Sequence, residues 1–192
     1  MSDALSLFTI GHSTHSFERF LALLSGAGIE AVADVRTAPV SRFCPQFNKA
    51  RLDEALRAAG LSYVFLGQEL GGRPDDPALY TNGIADFERM AKSAAFHKGI
   101  DRVIVQARER RLALMCSEKH PLDCHRCLLV GRALAARGAA VQHILSDGTQ
   151  TEQREIEEHL LAGSEDDLFT PRAERLAAAY RARTRKVAFA KK

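Results

Sequence analysis

The chain has 192 residues, 46% of them apolar and 27% charged, with a net charge of +3. These values suit one globular domain with a well-buried core, and they exclude a collagen, a coiled coil and a disordered chain. No apolar run reaches the ~18–20 residues of a membrane-spanning helix. The opening MSDALSLFTIGH has neither the basic start nor the long apolar stretch of a secretory signal, so the expected location is the cytoplasm.

Residues 7–10 read as a strand that runs into Gly11, His12 and Ser13. Ser16 then caps a helix on which Phe17, Phe20, Leu21 and Leu24 recur at the helical interval, with Gly28 near its end. Residues 31–35 form the next strand, leading to Asp34 and Arg36. Asn48 caps a helix carrying Leu52, Leu56 and Ala59 and closed by Gly60, and residues 63–66 return as a third strand. The Gly-, Pro- and Asp-rich stretch 67–83 reads as one long loop holding Glu69, Gly71, Gly72 and Arg73. Loops of that length inside a compact domain tend to serve function, and this one is expected to border the site as a lid. Two helical stretches follow, one around Phe87 and Met90 and one around Ile100, Val103 and Ala107. Residues 112–115 are a fourth strand delivering Cys116, 125–137 a helix stopped by Gly138, and 141–145 a fifth strand before Asp147. Helices near 150–162 and 171–183 finish the chain.

Strands alternating with helices predict an α/β fold: one doubly wound, mostly parallel sheet of about five strands with helices on both faces, in Rossmann-like layers. A closed barrel needs about 250 residues. Residues 1–164 form the expected domain and 165–192 a basic helical tail. Residues 171–192 carry eight basic side chains against one acid, while the remainder holds 19 basic and 23 acidic ones. Such a tail can dock on nucleic acid through phosphate contacts.

In folds of this class, ligands sit beyond the carboxyl ends of the parallel strands. The strand ends here carry His12 and Ser13, Asp34 and Arg36, Cys116 and Glu118, and Asp147. The densest segment is LALMCSEKHPLDCHRCLL, residues 112–129. Cysteines number four, at 44, 116, 124 and 127, and three of them crowd into twelve residues. That clustering points to reactivity or metal rather than a disulfide framework. A helix beginning near Cys124, His125 and Arg126 would lower the Cys124 thiol pKa through its N-terminal charge, while burial keeps Cys116 less acidic. Three motifs compete for these residues. A phosphate-cradling Cys…Arg loop fails because Cys116 and Arg126 stand too far apart. A Cys124-x-x-Cys127 redox pair fits the helix start. A metal site would draw on Cys116, Cys124 and His125 with His12 or Cys127, but only one short ligand pair exists, so metal is not the favoured reading. His143 reads as a core histidine, and His15, His97, His120 and His159 as surface positions.

TIGHS (9–13), DVR (34–36), the run P-x-S-R-F-x-P-Q-F-N (39–48), ELGGR (69–73) and LMCSE…P…CHR (114–126) resemble the bacterial and archaeal domain-of-unknown-function family 488. The resemblance runs from about residue 7 to residue 145 and leaves the basic tail outside. It implies a cytoplasmic protein and a site built from His12, Ser13, Asp34, Arg36, Cys116, Glu118, Cys124, His125 and Arg126. It supplies no reaction. Cys127 and His15 stand where the family pattern does not require them, which weakens the redox pair.

The leading expectation is an enzyme acting on a small anionic substrate, such as a nucleotide or sugar phosphate. Cys116, Glu118, Cys124, His125, Asp34 and His12 are its candidate catalytic groups. Ser13, Arg36, Gly71, Gly72, Arg73 and Arg126 are its candidate binding groups. No nucleotide-cofactor fingerprint occurs, and the cofactor is left open. The rivals are a non-catalytic metal- or ligand-binding sensor and a nucleic-acid-associated protein. The sequence gives no membrane partner and leaves the oligomeric state undetermined.

Overall fold

The computed structural model describes residues 5–162 and 170–191. The first half of the chain supplies β1 (Ser6–Gly11), α1 (Phe17–Gly26), β2 (Ala31–Asp34), α2 (Lys49–Ala58) and β3 (Ser62–Phe65). Next come α3 (Gly67–Leu70), a hairpin of β4 (Tyr80–Thr81) and β5 (Ile84–Ala85), α4 (Phe87–Met90), α5 (Ala94–Glu109) and β6 (Leu112–Cys116). A 3-10 turn (Pro121–Asp123) and a π-helix (Arg126–Gly131) lead into α6 (Arg132–Ala136). The chain ends with β7 (Ala140–Ile144), β8 (Gln150–Glu152), α7 (Gln153–Ala162) and α8 (Arg172–Val187).

The main sheet runs β3-β2-β6-β1-β7-β8, with the first five strands parallel and β8 antiparallel to β7. Alternation along the strands sends side chains to both faces, and both are covered. Phe8, Ile10, Val32, Ala113 and Met115 pack under α1 and α2 with Phe20, Leu24, Leu52 and Leu56. Leu7, Ala33, Val35, Leu112 and Leu114 pack on the other face against Phe96, Ile100 and Val103 of α5, Leu128 to Val130 of the π-helix, and Tyr180 of α8. Each large apolar side chain so buried contributes roughly 1.5–3 kcal/mol. The fold is thus the doubly wound α/β layer expected from the sequence, with one strand more. β8 spans three residues and follows a tight turn in which Leu145 N–H donates to Thr149 O, 2.9 Å. So short a segment has no readable period.

Three local expectations are corrected. The stretch 67–83 is not one loop but a helical turn, a 3-10 turn and a hairpin. The missed signal is Asn82-Gly83, which takes positive φ at both positions (52° and 77°) as a two-residue primed turn demands. Asn48 sits at the N-cap of α2, yet its Oδ1 accepts from Ser41 N–H at 2.6 Å and not from the helix. The helix after Cys124 opens as a π-helix, a widened turn that recurs at functional sites. The boundary expected between 164 and 165 lies outside the described residues. Among the described residues, no helix is long and apolar enough to cross a membrane.

One polar chain runs through the core. Gln153 Nε2 donates to Tyr180 Oη (2.7 Å), which leaves Gln153 Oε1 to accept from His143 Nε2–H (2.9 Å). His143 Nδ1 therefore accepts from the Thr9 hydroxyl at 2.7 Å, and Tyr180 passes its own proton toward Glu157 Oε1 at 2.8 Å. This pins α7 and α8 to the centre of the sheet. Burial lowers the His143 pKa from 6.5 to about 4. Between those values the unfolded chain binds more protons than the folded one, so stability falls as pH drops through the window, by roughly 3 kcal/mol for one such group at its acidic end. In urea unfolding between pH 6.5 and 4.5, the His143→Gln protein is expected to lose less stability than the unaltered protein. Thr9→Val, which strands the Nδ1 acceptor, is expected to cost about 1–3 kcal/mol at neutral pH.

Candidate functional site

The parallel strands β1, β2 and β6 lie side by side, so the residues just past their ends meet. Val35 N–H donates to Met115 O (3.1 Å), His12 N–H to Cys116 O (2.8 Å) and Ser13 N–H to Ser117 O (2.9 Å). Segments some eighty residues apart in sequence thus share one sheet edge, as the strand-end reading anticipated.

The β2 end is an ionic knot. Asp34 Oδ1 accepts from Arg36 N–H (3.0 Å) and Nε–H (2.9 Å), and Oδ2 accepts from Arg36 Nη2 (2.7 Å) and the Tyr63 hydroxyl (2.9 Å). Arg36 Nη2 also donates to Phe47 O at 2.8 Å. Both members of the pair are buried, Asp34 fully and Arg36 to 4% exposure. His12 Nδ1–H donates to Ser13 O (2.8 Å), leaving Nε2 to accept from Arg36 Nη1 (3.2 Å), and its ring stacks on Phe47 with centroids 4.3 Å apart. Burial first, and the facing Arg36 charge second, bring the His12 pKa down to about 4. His12 is therefore a neutral prop for Arg36. Ser13 holds a positive φ of 48° and gives its carbonyl to His12.

The β6 end carries the candidate reactive side chains. Cys116 Sγ and Cys124 Sγ lie 2.9 and 3.0 Å from Glu118 Oε2, and each is 3.8 Å from His125 Nδ1. His125 Nε2–H donates to Val35 O at 2.9 Å, which ties the imidazole to β2. One ligand atom from each of Cys116, Cys124 and His125 falls within 4.8 Å of the other two, a trio able to hold a metal ion. His12 and Cys127 are not part of it: Cys127 is buried with its Sγ toward Gln153 Oε1, 3.7 Å away, so Cys124 and Cys127 face different neighbours. Burial pushes the Cys116 thiol well above its usual range, reinforced by Cys124 and Glu118. Burial also pushes Cys124 up, but hydrogen bonding from Cys116 and the charges of Arg126 and His125 outweigh it and bring the pKa well down. The contrast between the two cysteines has the expected direction. Its causes are the neighbouring side chains Cys116, Arg126 and His125, and the Arg126 N–H at the start of the π-helix also points to Cys124 Sγ at 3.4 Å. Burial and the charge of Cys124 raise the Glu118 carboxyl.

Arg126 is placed beneath the site. It is fully buried, donates from Nη1 to Glu118 O (2.6 Å) and from Nη2 to Lys119 O (3.1 Å), and its Nε has no partner. Gly71 and Gly72 make room. A Cβ on Gly72 would stand 2.9 Å from the His125 ring, and one on Gly71 2.3 Å from Thr37 Oγ1. Arg73 is exposed at the rim, its backbone N–H donating to Thr37 Oγ1 at 3.0 Å.

These groups surround a pocket of about 480 Å³ with Cys116, Glu118, Cys124 and His125 among its floor residues and Gly72, Arg73 and Arg36 in its wall. Asp34, His12, Ser13, Gly71 and Arg126 stand behind the lining. Of the stretch 67–83, Gly72 and Arg73 reach the pocket. The remaining wall was not foreseen: Val187, Ala188 and Phe189 close one side. Ala85 N–H donates to Phe189 O (2.9 Å), Lys191 N–H to Gly83 O (2.8 Å), and the Arg73 guanidinium lies 4.8 Å over the Phe189 ring. Arg183 Nε donates to Leu122 O at 2.9 Å, and its guanidinium pairs with Asp123. Tyr63 and Phe47 were also missed as partners of Asp34 and Arg36, although Phe47 falls inside the run 39–48.

Removing one member of a buried pair leaves the other charge uncompensated. Asp34→Ala is therefore expected to cost about 3–5 kcal/mol. Tyr63→Phe, which deletes one donor to the carboxylate, should cost about 1.5–3 kcal/mol. Urea unfolding at neutral pH measures both, and equal small losses would contradict the pairing.

No curated protein and no solved structure matches the chain. A family model described as "Domain of unknown function DUF488" matches residues 16–133, a stretch that holds Asp34, Arg36, Cys116, Glu118, Cys124, His125 and Arg126. The chain belongs to the DUF488 family.

Proposed function

We propose that the chain is an enzyme that acts on a small anionic substrate, of the size of a nucleotide or sugar phosphate, in the pocket at the carboxyl edge of the sheet. One observation carries this reading: two thiols, an imidazole and a carboxylate converge, largely buried, on the floor of a pocket of about 480 Å³. That volume lies within the range of small-molecule sites, and catalytic groups cluster in such clefts.

Glu118 is the acid/base group. Its carboxylate opens onto the pocket, and its backbone is held by Arg126. Cys116, Cys124 and His125 form the reactive centre beneath the substrate. Arg73 is the anion-gripping side chain at the rim, since its guanidinium is exposed and stacked on Phe189. Arg36 adds a second positive edge, largely neutralised by Asp34. Four free cysteines fit a reducing compartment, and the cytoplasm is the proposed location. The nucleic-acid reading has weaker support. Several basic side chains of the tail are engaged within the chain: Arg172 with Glu158, Arg181 with Glu88, and Arg183 with Asp123.

The test is a ligand panel of inorganic phosphate, nucleoside monophosphates and sugar phosphates, read by thermal shift and calorimetry and followed by hydrolysis assays on the binders. Arg73→Ala is expected to weaken anion binding by about tenfold or more, the worth of one charge-assisted contact. Glu118→Gln is expected to bind but turn over about 100- to 10,000-fold more slowly. Binding of no anion, or full turnover by Glu118→Gln, would sink the reading.

A further inference from the structure

One ligand atom each of Cys116, Cys124 and His125 lies within 4.8 Å of the other two. Hydrogen bonds to Glu118 Oε2 hold the two sulfurs, but they do not account for the imidazole nitrogen facing both. His125 spends its Nε2–H on Val35 O at 2.9 Å, so in the neutral ring Nδ1 is an acceptor facing the sulfurs. It lies 3.8 Å from each of them, long for a thiol hydrogen bond and equal on both sides. Around a tetrahedral zinc ion, Zn–S and Zn–N bonds of about 2.3 and 2.0–2.1 Å set a sulfur and a nitrogen about 3.6 Å apart. The spacing in the protein is close to that.

The surroundings fit as well. An imidazole that binds metal through one nitrogen usually donates from the other to a carbonyl or carboxylate, which fixes the tautomer. Val35 O fills that role here, one residue past the end of β2, the strand next to the one that ends in Cys116. Arg126 N–H points to Cys124 Sγ at 3.4 Å. Beneath the trio, the fully buried Arg126 guanidinium donates to backbone carbonyls. Two thiolates, a divalent ion, Arg126 and an ionised Glu118 sum to zero charge, which makes the burial of Arg126 tolerable.

We propose that Cys116 Sγ, Cys124 Sγ and His125 Nδ1 bind one zinc-class divalent ion, with the fourth coordination position open to the pocket and Glu118 beside it as the acid/base group. Two sulfurs and one nitrogen select a borderline-soft ion over magnesium or calcium. Three protein ligands with an open position mark a catalytic rather than a structural site. Binding releases to solvent whatever protons Cys116, Cys124 and His125 Nδ1 carry and changes no oxidation state. The ion would supply an activated water to the substrate. This inference deepens the enzymatic reading above and rests on the same pocket, but its test needs no substrate.

The experiment uses the full chain, purified under reducing conditions. Elemental analysis is expected to find close to one zinc per chain. After chelation, titration with Co²⁺ should give a thiolate-to-cobalt charge-transfer band and the strong visible absorption of a tetrahedral site. Cys116→Ser, Cys124→Ser and His125→Ala are expected to weaken Co²⁺ by more than about 100-fold, beyond the 10–100-fold typical of outer-shell changes. Cys127→Ser, Cys44→Ser and Glu118→Gln should keep the spectrum. Should the ligand variants fail to fold, the cobalt spectrum of the unaltered protein and its retention in Cys127→Ser decide alone. A chain without zinc that gives no charge-transfer band, or a native Cys116–Cys124 disulfide, overturns the metal site. Turnover that persists after complete metal removal also overturns it while leaving the enzyme reading intact. One tightly held ion without turnover on any anion supports the site and counts against the substrate reading.

Discussion

The backbone of Glu118 and Lys119 crosses the end of β1 so closely that a Cβ on Gly11 would stand 1.9 Å from Glu118 O. Only glycine permits that crossing. Arg126 fixes it from below, its guanidinium reaching the carbonyls of Glu118 and Lys119 from a fully buried position. Burying a cation is costly, and here the carbonyl contacts and the nearby Cys124 offset part of that cost. Cys116 enters this crossing, Glu118 turns within it and Cys124 leaves it, so all three point into one space.

The three pocket-side arginines differ in what neutralises them. Arg36 is matched by Asp34 through several hydrogen bonds, and the pair behaves as a rigid strut supported by Tyr63, Phe47 and His12. Arg126 works on backbone, donating to the carbonyls of Glu118 and Lys119. Arg73 is exposed and leans on the Phe189 ring. Arg73 is thus the exposed guanidinium of the three at the pocket, while the other two are held in place by their own partners. That division follows from burial: a solvated guanidinium can exchange water for a ligand, and one buried behind the pocket lining cannot reach it.

Much of this was legible in the sequence. The alternation of apolar runs with helical periods pointed to the parallel layer, and polar residues at each strand end marked the edge at which the pocket lies. Asp34, Arg36, Cys116, Glu118, Cys124 and His125 were all identifiable there because strand ends are where such a fold exposes chemistry. What could not be read depended on partners distant in sequence. Arg126 looks like a ligand-gripping arginine at a helix start until its depth beneath the 117–119 crossing is known. Gly71 and Gly72 read as ligand-binding residues in the sequence, and in the structure they make room for Thr37 and the His125 ring. The Asn82-Gly83 turn was readable but was overridden by the general polarity of 67–83.

The C-terminal segment divides the pocket into two kinds of wall. The floor residues Cys116, Glu118, Cys124 and His125 lie within the family-matched stretch 16–133. The wall at Val187, Ala188 and Phe189 lies outside it and is joined to the β4–β5 hairpin by a bridge between Ile84 and Ala190. The hairpin in turn depends on Asn82 and Gly83 holding positive φ. Arg183 ties α8 to Leu122 and Asp123, between Glu118 and Cys124, so the wall and the floor touch at one turn. A change in length or sequence after residue 187 would therefore reshape the mouth and its aromatic edge while leaving the ligand-forming atoms in place. On the proposed reading, shape selection and chemistry fall to separate parts of the chain, joined at the 3-10 turn Pro121–Asp123.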